Sequence, residues 1–336
     1  MRETLLEVNN LVTEFRTADG NVQAVRDVSF SVSKGETLCI VGESGCGKSI
    51  TSLSVIGLLP SNGKIAAGQV KYEGKEIQNL SYEELRKMRG NKISMIFQEP
   101  MTALNPVLTV GYQLREPLML HHGLSKSVAH KQGIDLLNQV GIPYPEKRMS
   151  QYPHELSGGM RQRVMIAIAL SCHPGLLIAD EPTTALDVTI QAQILDLINE
   201  LKTKLNMGIM LITHDMGVVA EVADKVMVMY AGKKVEEGMV EDIFNNPKHP
   251  YTQGLLNSVP NVDDPEFELE PIPGSLPSLH EDIQGCRFHP RCKFATAKCS
   301  VLAPTEVTDE RGHTVSCWLY EEEEEEVKNG HLVTQN

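Results

Sequence analysis

An α/β fold built on a mainly parallel sheet is what this sequence predicts, and three observations carry the reading. Apolar, strand-like runs alternate with helical stretches through residues 37–245. A Gly-rich turn, Gly42-Glu43-Ser44-Gly45-Cys46-Gly47-Lys48-Ser49, joins one such strand to one such helix. Further along, the apolar run Leu176-Leu177-Ile178-Ala179 ends in the carboxylates Asp180-Glu181, where a parallel sheet presents its ligand-binding edge.

The elements follow in order. Residues 5–32 alternate apolar and polar, with Asp19-Gly20-Asn21 as a turn between two runs, so an antiparallel β-subdomain precedes the Gly-rich turn. Phe15 lies near the end of its first strand and reads either as an ordinary sheet residue or as an aromatic platform for a base. Glu36 to Val41 is a buried strand, and Ile50 to Leu59 the helix after the turn. Residues 60–80 are Gly-rich and strand-like, and Ser81-Tyr82-Glu83-Glu84 is a capping box. Ile93 to Phe97 is the next strand, with Gln98 at its end. Pro100, Pro106, Pro117 and Pro153 then punctuate helical stretches such as Val128 to Val140, which reads as a helical insertion over residues 99–158. Ser157 is an N-cap candidate for a helix running to about Ser171, and Gly158 and Gly159 leave its N-terminus bare for an anion. Thr184-Ala185-Leu186-Asp187 leads into a helix from Val188 to Leu205, and Ile209 to Thr213 is a strand ending at His214. Val226 to Tyr230 and Lys233 to Glu237 form a final hairpin around Ala231-Gly232.

The Gly-rich turn fits G-x-x-x-x-G-K-[ST], and the strand before it and helix after it are the context a phosphate-binding P-loop needs. Glycines let successive backbone N–H groups point inward at a phosphate, and the helix N-terminus adds partial positive charge. Lys48 would reach the outer phosphates and the Ser49 hydroxyl would bind Mg²⁺. Asp180 would hold the same ion, and Glu181, one residue on, is placed to orient or deprotonate water. His214 is a lone histidine, usually structural or merely exposed; its position at a strand end favours a functional role.

The chain has 336 residues and 41% hydrophobic composition, enough for two domains with substantial cores. No apolar run is long enough to span a membrane, and Met1-Arg2-Glu3-Thr4 leads straight into strand-like sequence without a signal peptide, so a cytoplasmic protein is expected. The net charge of -13 argues against a nucleic-acid binder. Glu321 to Glu326 contribute six of those charges, in a tail (residues 321–336) expected to be solvated and disordered.

With Gly42–Ser49, Gln98, Leu156–Met160, Asp180-Glu181, Asp187 and His214 in this order, residues 5–245 resemble an ABC-transporter nucleotide-binding subunit. Gln98 to Pro106, Leu156 to Arg163 and Asn246-Pro247-Lys248-His249-Pro250-Tyr251-Thr252 resemble the bacterial oligopeptide and dipeptide importers in particular; nickel importers share much of the pattern. The resemblance implies a RecA-like P-loop NTPase core (residues 1–98 and 159–245), a helical and signature subdomain (99–158) and an irregular C-terminal extension (246–320). It implies ATP and Mg²⁺ held by Gly42 to Ile50, with Phe15 stacked on adenine, Gln98 sensing metal and γ-phosphate, Asp180 supporting Mg²⁺, Glu181 activating water and His214 contacting the γ-phosphate. Ser157, Gly158 and Gly159 would cap the ATP of a second, related ATPase subunit in a head-to-tail sandwich, and Asp187 would couple the two sites. Met160 stands where Gln is commoner. Partners would be two transmembrane permease subunits and, indirectly, an extracytoplasmic solute-binding protein, at the cytoplasmic face of the membrane. The alternatives are a nickel or other-solute importer, a soluble ABC ATPase of DNA repair or translation, and a metal-binding regulatory module.

Four of seven cysteines fall late: Cys286, Cys292, Cys299 and Cys317, spaced C-x5-C-x6-C-x17-C. Pro260, Pro265, Pro271, Pro273 and Pro277 make the approach linker-like, and so short an extension has little core of its own. Four thiols within it suit a tetrahedral zinc or an iron–sulfur cluster, although the spacing by itself is a weak signal. The resemblance implies a four-iron four-sulfur (4Fe-4S) cluster on these four ligands; zinc is the second choice, and plain thiols or a disulfide the third. His289 and His313 read as surface histidines.

Overall fold

The computed structural model describes residues 2–98, 103–183, 188–258 and 271–320. Among these residues the strands form two sheets, one of four strands and one of eight.

The first sheet is antiparallel. Strands β1 (Thr4–Thr17) and β2 (Gly20–Ser33) form a long hairpin. Strand β3 (Thr37–Val41) then enters the second sheet and delivers the chain to helix α1 (Lys48–Ile56). Helix α1 ends earlier than the sequence suggests, because Gly57 turns the chain at φ +69° and the Leu58 N–H closes on the Leu53 carbonyl at 2.8 Å. Strand β4 (Gly63–Tyr72) returns to pair with β1, and β5 (Lys75–Glu76) closes that sheet in the order β2-β1-β4-β5. Helix α2 (Tyr82–Met88) starts on the Ser81–Glu84 capping box.

Strand β6 (Ile93–Ile96) opens the far side of the second sheet. Helices α3 (Val110–His122), α4 (Lys126–Gln139) and α5 (Pro145–Arg148) come next, α3 and α4 capped by Thr109 and Ser125. Helix α6 (Gly158–Leu170) leads to β7 (Leu176–Asp180), and helix α7 (Val188–Leu205) to β8 (Gly208–Ile212). Helix α8 (Met216–Val222) precedes the hairpin of β9 (Lys225–Tyr230) and β10 (Lys233–Met239). Strands β9, β3, β8, β7 and β6 lie side by side and parallel.

Period-2 alternation on β3 divides two cores between the faces of this sheet. Leu38 and Ile40 pack with Leu6, Val8 and Val28 of the antiparallel sheet. Cys39 and Val41 face the other way, among Val164, Ile166, Ile194 and Val219 of the helices. Each fully buried Leu or Ile contributes roughly 2 kcal/mol of transfer free energy.

Of the linker-like stretch from Pro260 to Pro277, residues 260–270 lie outside the described residues and 271–277 hold no helix or strand; regular structure lies on either side of it. Helices α9 (Val240–Asn245), α10 (Pro250–Asn257) and α11 (Ala297–Val301) are joined by short strands β11 (Val307–Thr308) and β12 (Thr314–Val315). Strand β12 pairs with β10, so the region extends the main sheet. One carboxylate anchors the junction: Glu236 accepts from the N–H groups of Lys248 (2.7 Å) and His249 (2.9 Å) and lies 2.8 Å from His313 Nε2. His313 is 1% exposed, not the surface histidine expected. The acidic tail from 321 to 336 lies outside the described residues.

Glu236→Ala would leave two backbone donors and a buried imidazole without their acceptor, a loss of about 3–5 kcal/mol. The expected result is a clearly lower thermal unfolding midpoint, read by circular dichroism. His249 is fully buried and neutral, its pKa pushed down to about 4 by desolvation, with the Glu236 carboxylate opposing. Its Nδ1 accepts from the Tyr251 N–H at 3.0 Å. A folded pKa below the unfolded value means that the unfolded chain binds the proton first. Stability is therefore expected to fall as pH drops from about 6.5 towards 4. His249→Asn, which retains a capping acceptor without titrating, is expected to flatten that part of the curve.

Candidate functional site

The P-loop turns at the C-terminal end of β3, and its geometry is possible only with glycine at two points. Gly42 has φ +147° and Gly47 φ +109°. A Cβ at Gly42 would strike the Met229 carbonyl, and one at Gly47 would lie 2.7 Å from the Ala24 carbonyl. Lys48 is 5% exposed and folds over its own loop, donating to the carbonyls of Gly42 (2.7 Å) and Glu43 (3.0 Å). This is a cradle for an anion with its lysine parked inside.

Neighbouring strands bring the remaining groups to the same edge. Ser49 Oγ donates to Asp180 Oδ1 at 3.0 Å across the gap between α1 and the end of β7. Burial pushes the Asp180 carboxyl upward; the Ser49 hydrogen bond pulls it down, the Glu181 charge raises it and Lys48 lowers it. Two oxygen donors at this distance, one on a desolvated carboxyl, fit a hard divalent cation such as Mg²⁺.

Glu181 is held at φ +45°, a strained value for a residue with a Cβ, and its N–H donates to the Ile212 carbonyl at 2.9 Å. Its carboxylate lies within hydrogen-bond reach of groups on both neighbouring strand ends. Gln98 Nε2, beyond β6, donates to Glu181 Oε2 at 2.8 Å, and His214 Nδ1, beyond β8, lies 3.1 Å from Glu181 Oε1. The structure therefore gathers Gln98, Asp180, Glu181, His214 and the P-loop onto the ends of four adjacent strands, β6, β7, β8 and β3.

Phe15 stands at the turn end of β1, opposite Gly63, where a Cβ would lie 2.8 Å from its ring. Two residues before it, the Thr13 hydroxyl is 2.8 Å from that of Ser54 on α1, so the hairpin crosses the helix that leaves the P-loop. Ser157 caps α6 by accepting from the Met160 N–H at 3.4 Å. Gly158 and Gly159 are helical; a Cβ on Gly158 would meet nothing within 4 Å, which leaves that helix end open. Asp187 lies outside the described residues.

Sequence reasoning missed several residues. Gln162, buried in α6, donates to the Pro182 carbonyl next to Glu181, so the signature helix is wired to the carboxylate's turn. Asp215 caps α8 through Gly217 (2.8 Å) and Val218 (3.3 Å). Tyr251 and Arg291 bind Glu43 of the P-loop from the C-terminal region, contacts spanning 208 and 248 residues. The Asp215 cap, reaching two and three residues on, was legible locally; no local pattern announces the acceptor of Gln162 or the last pair.

The metal reading of the late cysteines is overturned. Among the described residues no three His, Cys, Asp or Glu side chains are arranged to hold a metal ion, which removes the iron–sulfur cluster and zinc alike. All seven cysteines are free thiols. The four late ones line one cavity of about 240 Å³ beside Phe288 and Trp318. Burial raises the thiols of Cys286 and Cys292, and pushes Cys317 up to about 11, which keeps them protonated. Cys299 Sγ instead caps α11, 3.5 Å from the Thr296 N–H and 3.4 Å from its hydroxyl. The extension is held instead by packing: Phe288 meets Tyr230 of β9 and the extension's own His249 and Tyr251.

Comparison with known proteins agrees with this geometry. The family model described as ABC transporter matches residues 25–184, and that described as oligopeptide/dipeptide transporter, C-terminal region, matches residues 235–299. The chain is 55% identical over 321 residues to the oligopeptide transport ATP-binding protein AppD of Bacillus subtilis (strain 168), covering 95% of this chain and 98% of that protein. It is 53% identical over 315 residues to the oligopeptide transport ATP-binding protein OppD of Haemophilus influenzae, covering 94% and 97%. These relatives are described by ATP binding and transport, and lend the iron–sulfur reading no support. Among solved structures, the dimeric post-hydrolysis state of the ATP-binding cassette MJ0796 bound to ADP and Pi superposes with a TM-score of 0.64 at 27% identity, covering 70% of this chain and 98% of that one. The chain has the ABC ATPase cassette fold, a P-loop NTPase of mixed α/β content, and belongs to the family of ABC-transporter ATP-binding proteins that carry the oligopeptide/dipeptide-transporter C-terminal region.

Proposed function

We propose that this chain is an ATPase subunit of an ABC importer, hydrolysing ATP at a composite site to drive peptide uptake through a membrane permease. The observation that carries the reading is the Glu181 carboxylate, held between Gln98 and His214 one residue beyond the Ser49–Asp180 pair. Peptide as cargo is supported by the match of the C-terminal region and by relatives named for oligopeptide and dipeptide transport.

In this reading Gly42 to Ile50 wrap the phosphates of ATP with backbone N–H donors, and Phe15 stacks on the adenine. Lys48 leaves the Gly42 and Glu43 carbonyls for the outer phosphates. Mg²⁺ held by Ser49, Asp180 and Gln98 would neutralise charge on those phosphates. Glu181 accepts the proton of the attacking water while Gln98 orients it, and His214 donates to the γ-phosphate. Water attacks the γ-phosphorus as the bond to the bridging oxygen breaks, leaving ADP and phosphate. Ser157, Gly158 and Gly159 cap the nucleotide of a second, related ATPase subunit, and Asp187 couples the two sites. Gln162 carries the state of the signature helix to Glu181 through Pro182.

Residues 1–98 and 159–245 then act as the ATP-binding core with its antiparallel β-subdomain, and 99–158 as the helical and signature subdomain that meets two permease subunits. Residues 246–320 form the C-terminal extension. Among the described residues no helix is long and apolar enough to cross a membrane, which suits attachment at the cytoplasmic face through the permease. A solute-binding protein on the other side would supply the cargo.

Glu181→Gln, purified with its membrane partners, is expected to bind ATP normally while turnover falls by at least ~100-fold. Near-normal turnover would remove the carboxylate from its role. In vesicles carrying the complete importer, ATP-dependent uptake of labelled di- or oligopeptides is expected; uptake of nickel alone would overturn the peptide reading.

A further inference from the structure

The extension does more than dock beside the core: it grips the P-loop. Glu43 is held from three directions. Its carboxylate receives a bidentate pair from Arg291, with Nη1 to Oε2 at 2.6 Å and Nη2 to Oε1 at 3.0 Å. Its backbone N–H donates to the Tyr251 hydroxyl at 2.8 Å. Its carbonyl accepts from Lys48 at 3.0 Å.

Arg291 is itself immobilised. Its side chain is 6% exposed, Nε donates to the Pro273 carbonyl at 2.7 Å, and its guanidinium lies over the Tyr230 ring at 5.7 Å. Tyr230 and Tyr251 meet edge to face at 4.7 Å, with the Phe288 ring wedged against both. From the same side Leu276 comes so close to the loop that a Cβ on Gly45 would lie 3.5 Å from its methyl group.

The physical consequence concerns Lys48. Its two carbonyl hydrogen bonds help to hold the loop, and both are lost when the ammonium turns to a phosphate. A loop with three glycines at positive φ has little intrinsic preference for the cradle shape. Contacts that survive the lysine's departure must hold it, and the Arg291 and Tyr251 contacts to Glu43 do not involve Lys48.

We propose that Arg291 is a positioning residue for the nucleotide site: paired with Glu43, it keeps the P-loop in its phosphate-binding shape, so that the C-terminal extension sets the affinity for ATP. This rests on the ATPase reading above and adds to it a residue far outside the cassette motifs. Lysine cannot replace the arginine, because a single ammonium cannot make the parallel fork.

The test is direct ATP binding, followed with a fluorescent ATP analogue, together with steady-state ATPase, in the complete complex. Arg291→Gln, Arg291→Lys and Glu43→Gln are each expected to raise Kd and KM for ATP about 10-fold, the scale of one charge-assisted hydrogen bond, with a smaller change in kcat. The double variant Arg291→Gln with Glu43→Gln is expected to be no weaker than either single variant, because the two groups act as one pair. Glu236→Ala, which loosens the same extension at another anchor, is expected to lower thermal stability with less effect on Kd. An unchanged Kd in Arg291→Lys and Glu43→Gln, or an equal rise in Glu236→Ala, would overturn the proposal by reducing the contact to general bracing. Failure of the ATPase reading would show separately, as an unmodified complex that binds the ATP analogue and does not hydrolyse ATP.

Discussion

Parallel pairing is the constraint on which the site depends. Parallel strands all release their chains at one edge, and in this sheet β6, β7, β8 and β3 are consecutive neighbours. Four segments far apart in sequence therefore arrive side by side: Gln98, Asp180 with Glu181, His214, and the P-loop. An antiparallel sheet would send alternate members to the opposite edge. Burial of both faces keeps this order, since a one-residue slip of β3 would exchange Leu38 and Ile40 with Cys39 and Val41 between two differently shaped cores.

Along that edge the two neighbouring carboxylates have opposite surroundings. Asp180 ends its strand inside the desolvated rim, 3.0 Å from Ser49, where a hard cation is the natural counter-charge. Glu181, at φ +45°, swings outward to meet an amide and an imidazole. One residue of backbone, strained at a single torsion, separates a carboxylate paired with Ser49 from one paired with Gln98 and His214. Gln162 links this turn to the helix capped by Ser157, so that helix and the turn carrying the carboxylate are joined by one buried hydrogen bond.

The C-terminal extension shows how a segment poor in regular structure can be firmly held. It adds strand β12 to the sheet edge, seats Phe288 in the aromatic cluster, and closes two pairs, the buried Glu236 with His313 and the part-buried Glu43 with Arg291. These contacts supply what a metal centre had been invoked to supply. The four late thiols share a cavity, yet burial keeps three protonated and the fourth caps a helix.

By itself the sequence determined the chemistry and most of the local architecture. The P-loop, the strand ending in Asp180-Glu181, the Ser81 and Ser157 caps and the helix from Val188 to Leu205 are all written in neighbouring residues, because turns, caps and periodicity act over a few positions. Tertiary structure decided everything that depends on side chains meeting across the fold. It brought Gln98, Glu181 and His214 together, buried His313, gave Gln162 its acceptor and set Arg291 on Glu43. It also decided against a metal, since the four cysteines with suggestive spacing line a cavity as packed thiols, one of them capping a helix. Hydrogen bonds and ion pairs reach only about 3 Å, and partners 83, 77 or 248 residues apart leave no local pattern to read.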